Sequence, residues 1–358
     1  MSKNNFDLLR IYAAFQVLFQ HSIFHLYQNS EIDGKISLLN SLMQYIHGVP
    51  VFFLISGFLI TMSYERNPSL KEYIRNRVLR IYPALYMNLL FSLFILYIFG
   101  FLSFRFELIP WLLAQTTLFQ FYNIDIFRDF GTGVINGSLW TISVELTFYI
   151  LLPILLYFYK KNKLSLFILF MFSFMFWIYD KSNSHDLFID KLLHVSILPH
   201  LFVFIIGVAF YKFFNHLKKF VEDKFLVWFL LFIVFSYLSL VFKLESYLFV
   251  KLIKWVFFSF LVFSFAFSFR GLSQKILYGN DYTYGIYIYH AVILNIFVEL
   301  NLVDRLEYLL YVVILSLFFG VVSWHIIEKP ILKLKKYSIK NIGDSIEKRY
   351  INFRSKSI

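Results

Sequence analysis

Long apolar runs alternate with short polar segments along the whole chain. Runs of spanning length fall at 8–28, 45–63, 81–101, 138–159, 164–180, 194–214, 225–243, 250–269, 282–300 and 306–327. Each approaches the roughly 20 residues that an α-helix needs to cross a ~30 Å hydrocarbon core. A further run, Ile109 to Tyr122, is shorter and is broken by Gln115, Thr116, Thr117 and Gln120. No internal repeat and no long linker divides the sequence. The pattern predicts an all-α polytopic membrane protein: a bundle of about ten transmembrane helices with one re-entrant or interfacial segment at 109–122.

Loop charge orients the bundle. With a cytoplasmic N-terminus and a non-crossing 109–122, the inner loops are 65–80, 160–163, 212–224, 270–281 and the tail from 328. Each holds more Lys and Arg than Asp and Glu, whereas the outer loops 28–44, 123–137 and 180–191 lean acidic. A crossing at 109–122 would invert every later loop and place the basic ones outside, against the positive-inside rule. Both termini are therefore expected in the cytoplasm. Lys251 and Lys254 are the exception, because they open a span on the outer side and would have to snorkel.

Composition removes several classes. The 358 residues are 59% hydrophobic and only 16% charged, which leaves no room for a sizeable soluble domain. The net charge of +12 would suggest nucleic acid in a soluble protein. Here the inner loops and tail account for it, and no nucleic-acid partner is expected. The sequence has no cysteine, which excludes disulfides, thiol nucleophiles and thiolate metal sites. The first apolar run lacks a small-residue cleavage site and is expected to be retained as a span. The expected organisation is a membrane domain over 1–330 and a short basic cytoplasmic tail over 331–358.

Chemistry is sought where lipid should exclude it. An ionisable side chain at mid-bilayer costs about 2.5–3.5 kcal/mol, so each needs a partner or a function. In "LLRIYAAFQVLFQHSIFHLYQ", Arg10 and His21 differ by about 20° in azimuth and 16–17 Å in height, and so line one helix face. Asp7 and His25 extend that stripe. His21 and His25, one turn apart, could seat a metal, but no HExxH-type context accompanies them and no metal is expected. In "KEYIRNRVLRIYPAL", Arg77 and Arg80 project as neighbours at the inner surface. A guanidinium pair there suits nucleotide phosphates, though ordinary inner charge or anionic lipid binding explains the position as well. "NGSLWTISVELTFYILLP" puts Glu145 at a depth similar to that of His21, where a carboxylate could orient the imidazole. Trp140 stands near the outer surface as a possible sugar platform. His290, in "YTYGIYIYH", competes between a chemical and a packing role.

Taken in order, these stretches resemble the acyltransferase-3 family of integral membrane O-acyltransferases. The matching features are Arg10 and His21 at arginine-x10-histidine spacing, "VPVFFLISGFLI", Arg77 and Arg80 as R-x-x-R followed by "IYP", "GSLWTISVE", "YGIYIYH" and "IEKP". They cover the chain from about residue 6 to 330. The resemblance implies transfer of an acyl group, usually acetyl from acetyl-CoA, to a sugar hydroxyl of a surface polysaccharide or its lipid-linked precursor. It also implies His21 as the catalytic histidine and Arg10, Arg77 and Arg80 as donor-side residues. The site expected from these readings combines His21 with Glu145 as its orienting carboxylate. Arg10, Arg77, Arg80, Trp140 and His290 supply binding. No fused esterase domain is expected, since only the short tail follows residue 330.

The implied enzyme works in the cell (inner) membrane, among lipids. Arg77 and Arg80 hold acyl-CoA at the cytosolic surface, the pantetheine arm passes Arg10, and the thioester meets His21. The histidine either deprotonates the acceptor hydroxyl or carries the acyl group itself. Two rivals remain at this level: a transporter or flippase for a glycan or lipid-linked sugar, and a membrane scaffold. The orientation can be tested directly because the chain lacks cysteine. Single thiols introduced at Asn123 and Asn162 are expected to react with an impermeant reagent from opposite faces; reaction from the same face would overturn this topology.

Overall fold

The computed structural model describes residues 4–27, 34–103, 105–182 and 187–336, and among them every regular element is helical. Ten long helices coincide with the ten apolar runs. They are α1 Phe6–Leu26, α2 Gly48–Arg66, α3 Leu70–Ile98, α4 Trp140–Lys161 and α5 Leu164–Ser182, then α6 Leu201–Lys212, α7 Phe225–Val241, α8 Leu248–Phe267, α9 Thr283–Glu299 and α10 Leu306–Ser323. By length and composition, six stretches can cross a membrane: Gly34–Arg66, Leu70–Ile98, Trp140–Lys161, Leu164–Ser182, Leu248–Phe267 and Leu306–Lys335. A seventh is possible if α6 and Phe214–Val221, bent by 95°, form one broken span. The all-helical membrane class is thus established, whereas the count of about ten crossings is not. Most of the expected tail, 337–358, lies outside the described residues.

The segment expected not to cross is a helix of nine residues, Leu108–Thr116. At ~1.5 Å per residue this is too short for a bilayer core. The polar residues that broke the apolar run are the ones that satisfy its turn. Gln115 donates to the carbonyls of Gln120 (3.2 Å) and Tyr122 (2.9 Å), and the Thr116 and Thr117 hydroxyls return to Leu112 and Leu113. Backbone that leaves a helix at membrane depth needs such internal partners, because hydrocarbon offers none. Trp111, Phe127 and Phe130 then form a small second core with Ile95, Leu96 and Val292.

Side-chain amides fasten the following loop to α9. Asn136 donates to the Ile288 carbonyl (2.8 Å) and to Asn88 (3.0 Å), and Asn88 donates to the same carbonyl. Asn295 reaches the carbonyls of Val134 and Ile135, both at 3.0 Å. At the opposite end of the bundle, buried Asn5 fixes the start of α1 to the end of α8. Its amide donates to Ser268, and its side-chain oxygen accepts from the Ser273 N–H at 3.0 Å. These bonds set the depth at which α1 and α9 present their polar residues to each other.

Helices α2 and α6 meet backbone to backbone. A Cβ at Gly57 would strike the Phe204 carbonyl oxygen, and one at Gly207 would strike the Leu54 carbonyl oxygen. In a bilayer, where helices gain nothing from excluding water, such close packing is what holds them together. Gly57→Val and Gly207→Val are each expected to lower the thermal unfolding midpoint in detergent, at a cost of about 1–3 kcal/mol from overpacking. A midpoint unchanged by both would mean that α2 and α6 do not meet in this way.

Candidate active site

Two cavities open along the bundle and share a wall. The first, of about 310 Å³, is lined by Arg10, Arg77, Arg80 and Lys335 together with Glu145 and Asp281. The second, of about 620 Å³, is lined by His21, Trp140, Trp177, His194, Lys251 and Trp255 among others. Val49, Phe53, Thr141 and Tyr287 line both. The Tyr287 and Thr141 hydroxyls are hydrogen-bonded at 2.6 Å, so one polar contact stands in the partition.

In the first cavity the three expected arginines do different work. Asp281, just ahead of α9, lies 2.5 Å from Arg80 and 3.7 Å from Arg10. Arg80 is held a second time by Glu328 at 3.3 Å, and Arg10 by Asp7 at 3.4 Å. Glu328 in turn accepts from Ser323 at 3.0 Å. Burial alone would push the Asp281 carboxyl up. Arg80, Arg10 and the hydrogen bonds from Thr283 outweigh burial and hold it below the ordinary aspartate range. Arg77 differs. Its guanidinium lies over the Tyr149 and Tyr73 rings at 5.6 and 6.0 Å, and its Nε is buried without a hydrogen-bond partner. Among the described residues Arg77 is the guanidinium of this cavity that no carboxylate neutralises, so it is the one best placed to take an anionic ligand.

The second cavity carries His21, and its partner is His290. His21 Nδ1 lies 3.1 Å from His290 Nε2, and His290 Nδ1 lies 2.6 Å from the Tyr287 carbonyl oxygen. A carbonyl only accepts, so His290 Nδ1 carries the proton. In the neutral ring, Nε2 of His290 is then an acceptor, and His21 must donate to it from Nδ1. The lone pair of His21 is thereby left on Nε2, the nitrogen without a partner among the described residues in a side chain that lines the cavity. An imidazole in that tautomer is arranged to accept a proton.

Glu145 is not brought to His21. Ser56 donates to it at 2.6 Å and so does the Tyr149 hydroxyl, and it faces the arginine-lined cavity. The expected His21–Glu145 pair is therefore corrected to His21–His290. Similar depth on two helices did not fix azimuth, and α4 turns Glu145 toward α2. The Trp140 ring stands 5.3 Å from that of His194 and 5.2 Å from that of His200. His194 donates to Asp180 at 3.1 Å, and His200 donates to the His194 carbonyl at 2.8 Å. Among the described residues no three His, Cys, Asp or Glu side chains converge as metal ligands, and His25 stands against the Phe24 ring instead.

Several site residues escaped the sequence reading. Asp281 counted only as loop charge, and Glu328 only as tail charge and as part of "IEKP". Tyr149, Tyr287 and Thr141 look like ordinary span residues. Tyrosines recurring inside apolar runs were the available signal, because a buried hydroxyl needs a partner. Lys251 and Lys254, expected to snorkel, line the second cavity instead, with Lys254 3.3 Å from Glu245.

Comparison with known proteins supplies the context for this geometry. Residues 3–328 match the profile of the family described as acyltransferase domain. The chain is similar to Nodulation protein 10 of Rhizobium leguminosarum bv. viciae, with 28% identity over 93% of this chain and 94% of that protein. It is also similar to the O-acetyl transferase of Shigella phage Sf6, with 26% identity over 93% of this chain and 97% of the relative. No solved structure matches the chain significantly.

The ion-pair network makes a stability prediction. Asp281→Ala leaves Arg80 with Glu328 alone and Arg10 with Asp7 alone and is expected to cost up to about 3 kcal/mol, whereas Arg77→Ala, which breaks no ion pair among the described residues, should cost far less. A carboxyl depressed in the folded state stabilises fully above its ordinary value of 3.8, and that contribution fades as pH falls through the lower folded value. Thermal unfolding of both variants in detergent checks this, and equal losses would contradict it.

Proposed function

The chain belongs to the acyltransferase-3 family, and from that premise we propose a membrane O-acyltransferase that serves a glycan acceptor. It moves an acyl group, acetyl in the simplest case, from cytosolic acyl-CoA to a hydroxyl of a surface polysaccharide or lipid-linked sugar. The O-acetyl transferase among its relatives supports acetyl. In this reading ten helices cross the inner membrane, with both termini cytoplasmic and the arginine-lined cavity toward the cytosol.

One observation carries the proposal: the His21–His290–Tyr287 relay is anchored on the wall that an arginine-lined cavity shares with an aromatic one. Arg77 binds the nucleotide phosphates, and Lys335 adds charge at the same cavity. Arg10 and Arg80, tied to Asp281, shape the channel and supply the remaining field. Glu145 holds Tyr149 beneath Arg77 and serves the donor side. The acyl arm reaches the second cavity past Thr141 and Tyr287.

His21 Nε2 accepts the proton of the acceptor hydroxyl while that oxygen attacks the thioester carbonyl. The carbon–sulfur bond then breaks, and the departing sulfur recovers the proton from His21. His290 keeps the proton on Nδ1 of His21, so that Nε2 stays basic. Charge that develops on His21 is shared with His290 rather than with a carboxylate. Trp140 offers a face on which a sugar ring can rest.

His21→Ala is expected to remove the acetyl mass increment from surface glycans while the protein still folds and binds acyl-CoA. His290→Ala should lower kcat by about 10²-fold and change the pH–rate profile, since it releases the tautomer. Glu145→Gln should leave that profile in place. Arg77→Ala should weaken acyl-CoA binding by about tenfold or more, and Arg77→Lys should only partly restore it, because the fork is lost. Normal acetylation by His21→Ala would end this mechanism. Glycans that fail to reach the surface, rather than lacking acetyl, would identify a transporter.

A further inference from the structure

We propose that the acceptor carries an anionic group, a carboxylate or a phosphate, and that Lys181, Lys251 and Lys254 hold it in the His21 cavity. This rests on the acyltransferase reading and names the substrate class of its acceptor side.

The argument begins with lysines in the wrong place. Lys251 and Lys254 lie in the first two turns of α8, a helix that is otherwise apolar, on the side that loop charge assigns to the outer face. Lysines are disfavoured there, and a lysine with no role would extend its ammonium along the lipid toward water. Both instead line the 620 Å³ cavity, joined by Lys181 from the end of α5. Among the described residues Glu245 is the one acidic residue on that lining, and Lys254 already engages it at 3.3 Å. Lys181 and Lys251 have no carboxylate partner among the described residues. The histidines that line the cavity, His21, His47, His194 and His200, become cations when they charge, and Tyr45 and Tyr287 carry neutral hydroxyls at neutral pH. Asp180 stands behind His194, buried and engaged by it, rather than on the cavity surface.

The same cavity is walled by Trp140, Trp177 and Trp255. Indole faces suit the C–H face of a sugar ring, and two unneutralised ammonium groups beside them suit a negative substituent on it. A neutral sugar would leave both lysines without a counterion in a half-enclosed site. An acidic one places its anion at the lysines and its hydroxyls toward His21. A uronic acid and a polyprenyl-phosphate-linked sugar present this same chemistry, and the two sources can be separated experimentally.

The test uses the full chain purified in nanodiscs as the His21→Ala variant, so that binding is read without turnover. Four probes are compared: trigalacturonate, its carboxyl-reduced neutral counterpart, a polyprenyl phosphate and the matching polyprenol. One anionic probe is expected to bind at least about tenfold tighter than its neutral partner. That preference should vanish in Lys181→Gln/Lys251→Gln and fall as salt rises. A preference confined to trigalacturonate identifies a sugar acid, and one confined to polyprenyl phosphate identifies the lipid-linked phosphate. Equal binding of charged and neutral probes, or a preference that survives loss of both lysines, overturns the inference. A control separates that failure from failure of the underlying reading. If wild-type protein acetylates a neutral glycan and Lys251→Gln leaves KM unchanged, the acyltransferase stands and the anion site falls.

Discussion

Asp281 is the interaction on which the rest of the site depends. One carboxylate at the mouth of α9 holds Arg80 at 2.5 Å and Arg10 at 3.7 Å, and so ties α1, α3 and α9 together at one level. Separate guanidiniums at that depth would each carry a large desolvation cost. Gathered on a shared carboxylate, with Glu328 and Asp7 completing the ring, they become a tolerable part of a helix bundle. The network also decides which cation remains available. Because Asp281 and Glu328 occupy Arg80, the guanidinium of this cavity left unneutralised among the described residues is that of Arg77.

Fixing α1 against α9 at that level carries consequences one cavity further on. Arg10 and His21 share a face of α1, so anchoring the first sets the height of the second. His290 stands on α9 and meets His21 at 3.1 Å, with its own orientation dictated by the Tyr287 carbonyl. The relay thus comes from two helices whose relative depth the arginine network and Asn5 hold. The loop pinned by Asn88, Asn136 and Asn295 packs over the far half of α9 and keeps that helix from sliding. Positioning of this kind needs no metal and no loop closure to be stiff.

The two cavities also divide the problem that a charged donor poses. On the proposed reading, a nucleotide at Arg77 would not have to travel, because only a neutral acyl arm would pass Thr141 and Tyr287. Polar atoms at that wall satisfy each other when the passage is closed, which avoids leaving two hydroxyls unpaired in an apolar surround. The aromatic cavity beyond it is roomy, and its lysines and tryptophans give it a character opposite to lipid. A bundle with lipid-like surfaces on the outside thereby encloses two unlike polar rooms.

Much of this was legible in the sequence. Apolar runs predicted where the ten long helices lie, whereas only six stretches, or seven with the bent pair, are long and apolar enough to cross a membrane. Gln115 and the paired threonines marked the short helix Leu108–Thr116, because their hydrogen bonds close the turn that ends it. Arg10, His21, Arg77 and Arg80 stood out, since lipid makes every ionisable residue conspicuous. What the sequence could not supply was azimuth between helices. Glu145 and His21 were matched for depth, yet α4 turns Glu145 toward Ser56 and Tyr149, and it is His290 that meets His21. Depth follows from counting residues along one helix. Which side chains face each other follows from how neighbouring helices rotate and pack, and contacts such as Gly57 against Phe204 and Asn5 against Ser268 exist only once the bundle has closed.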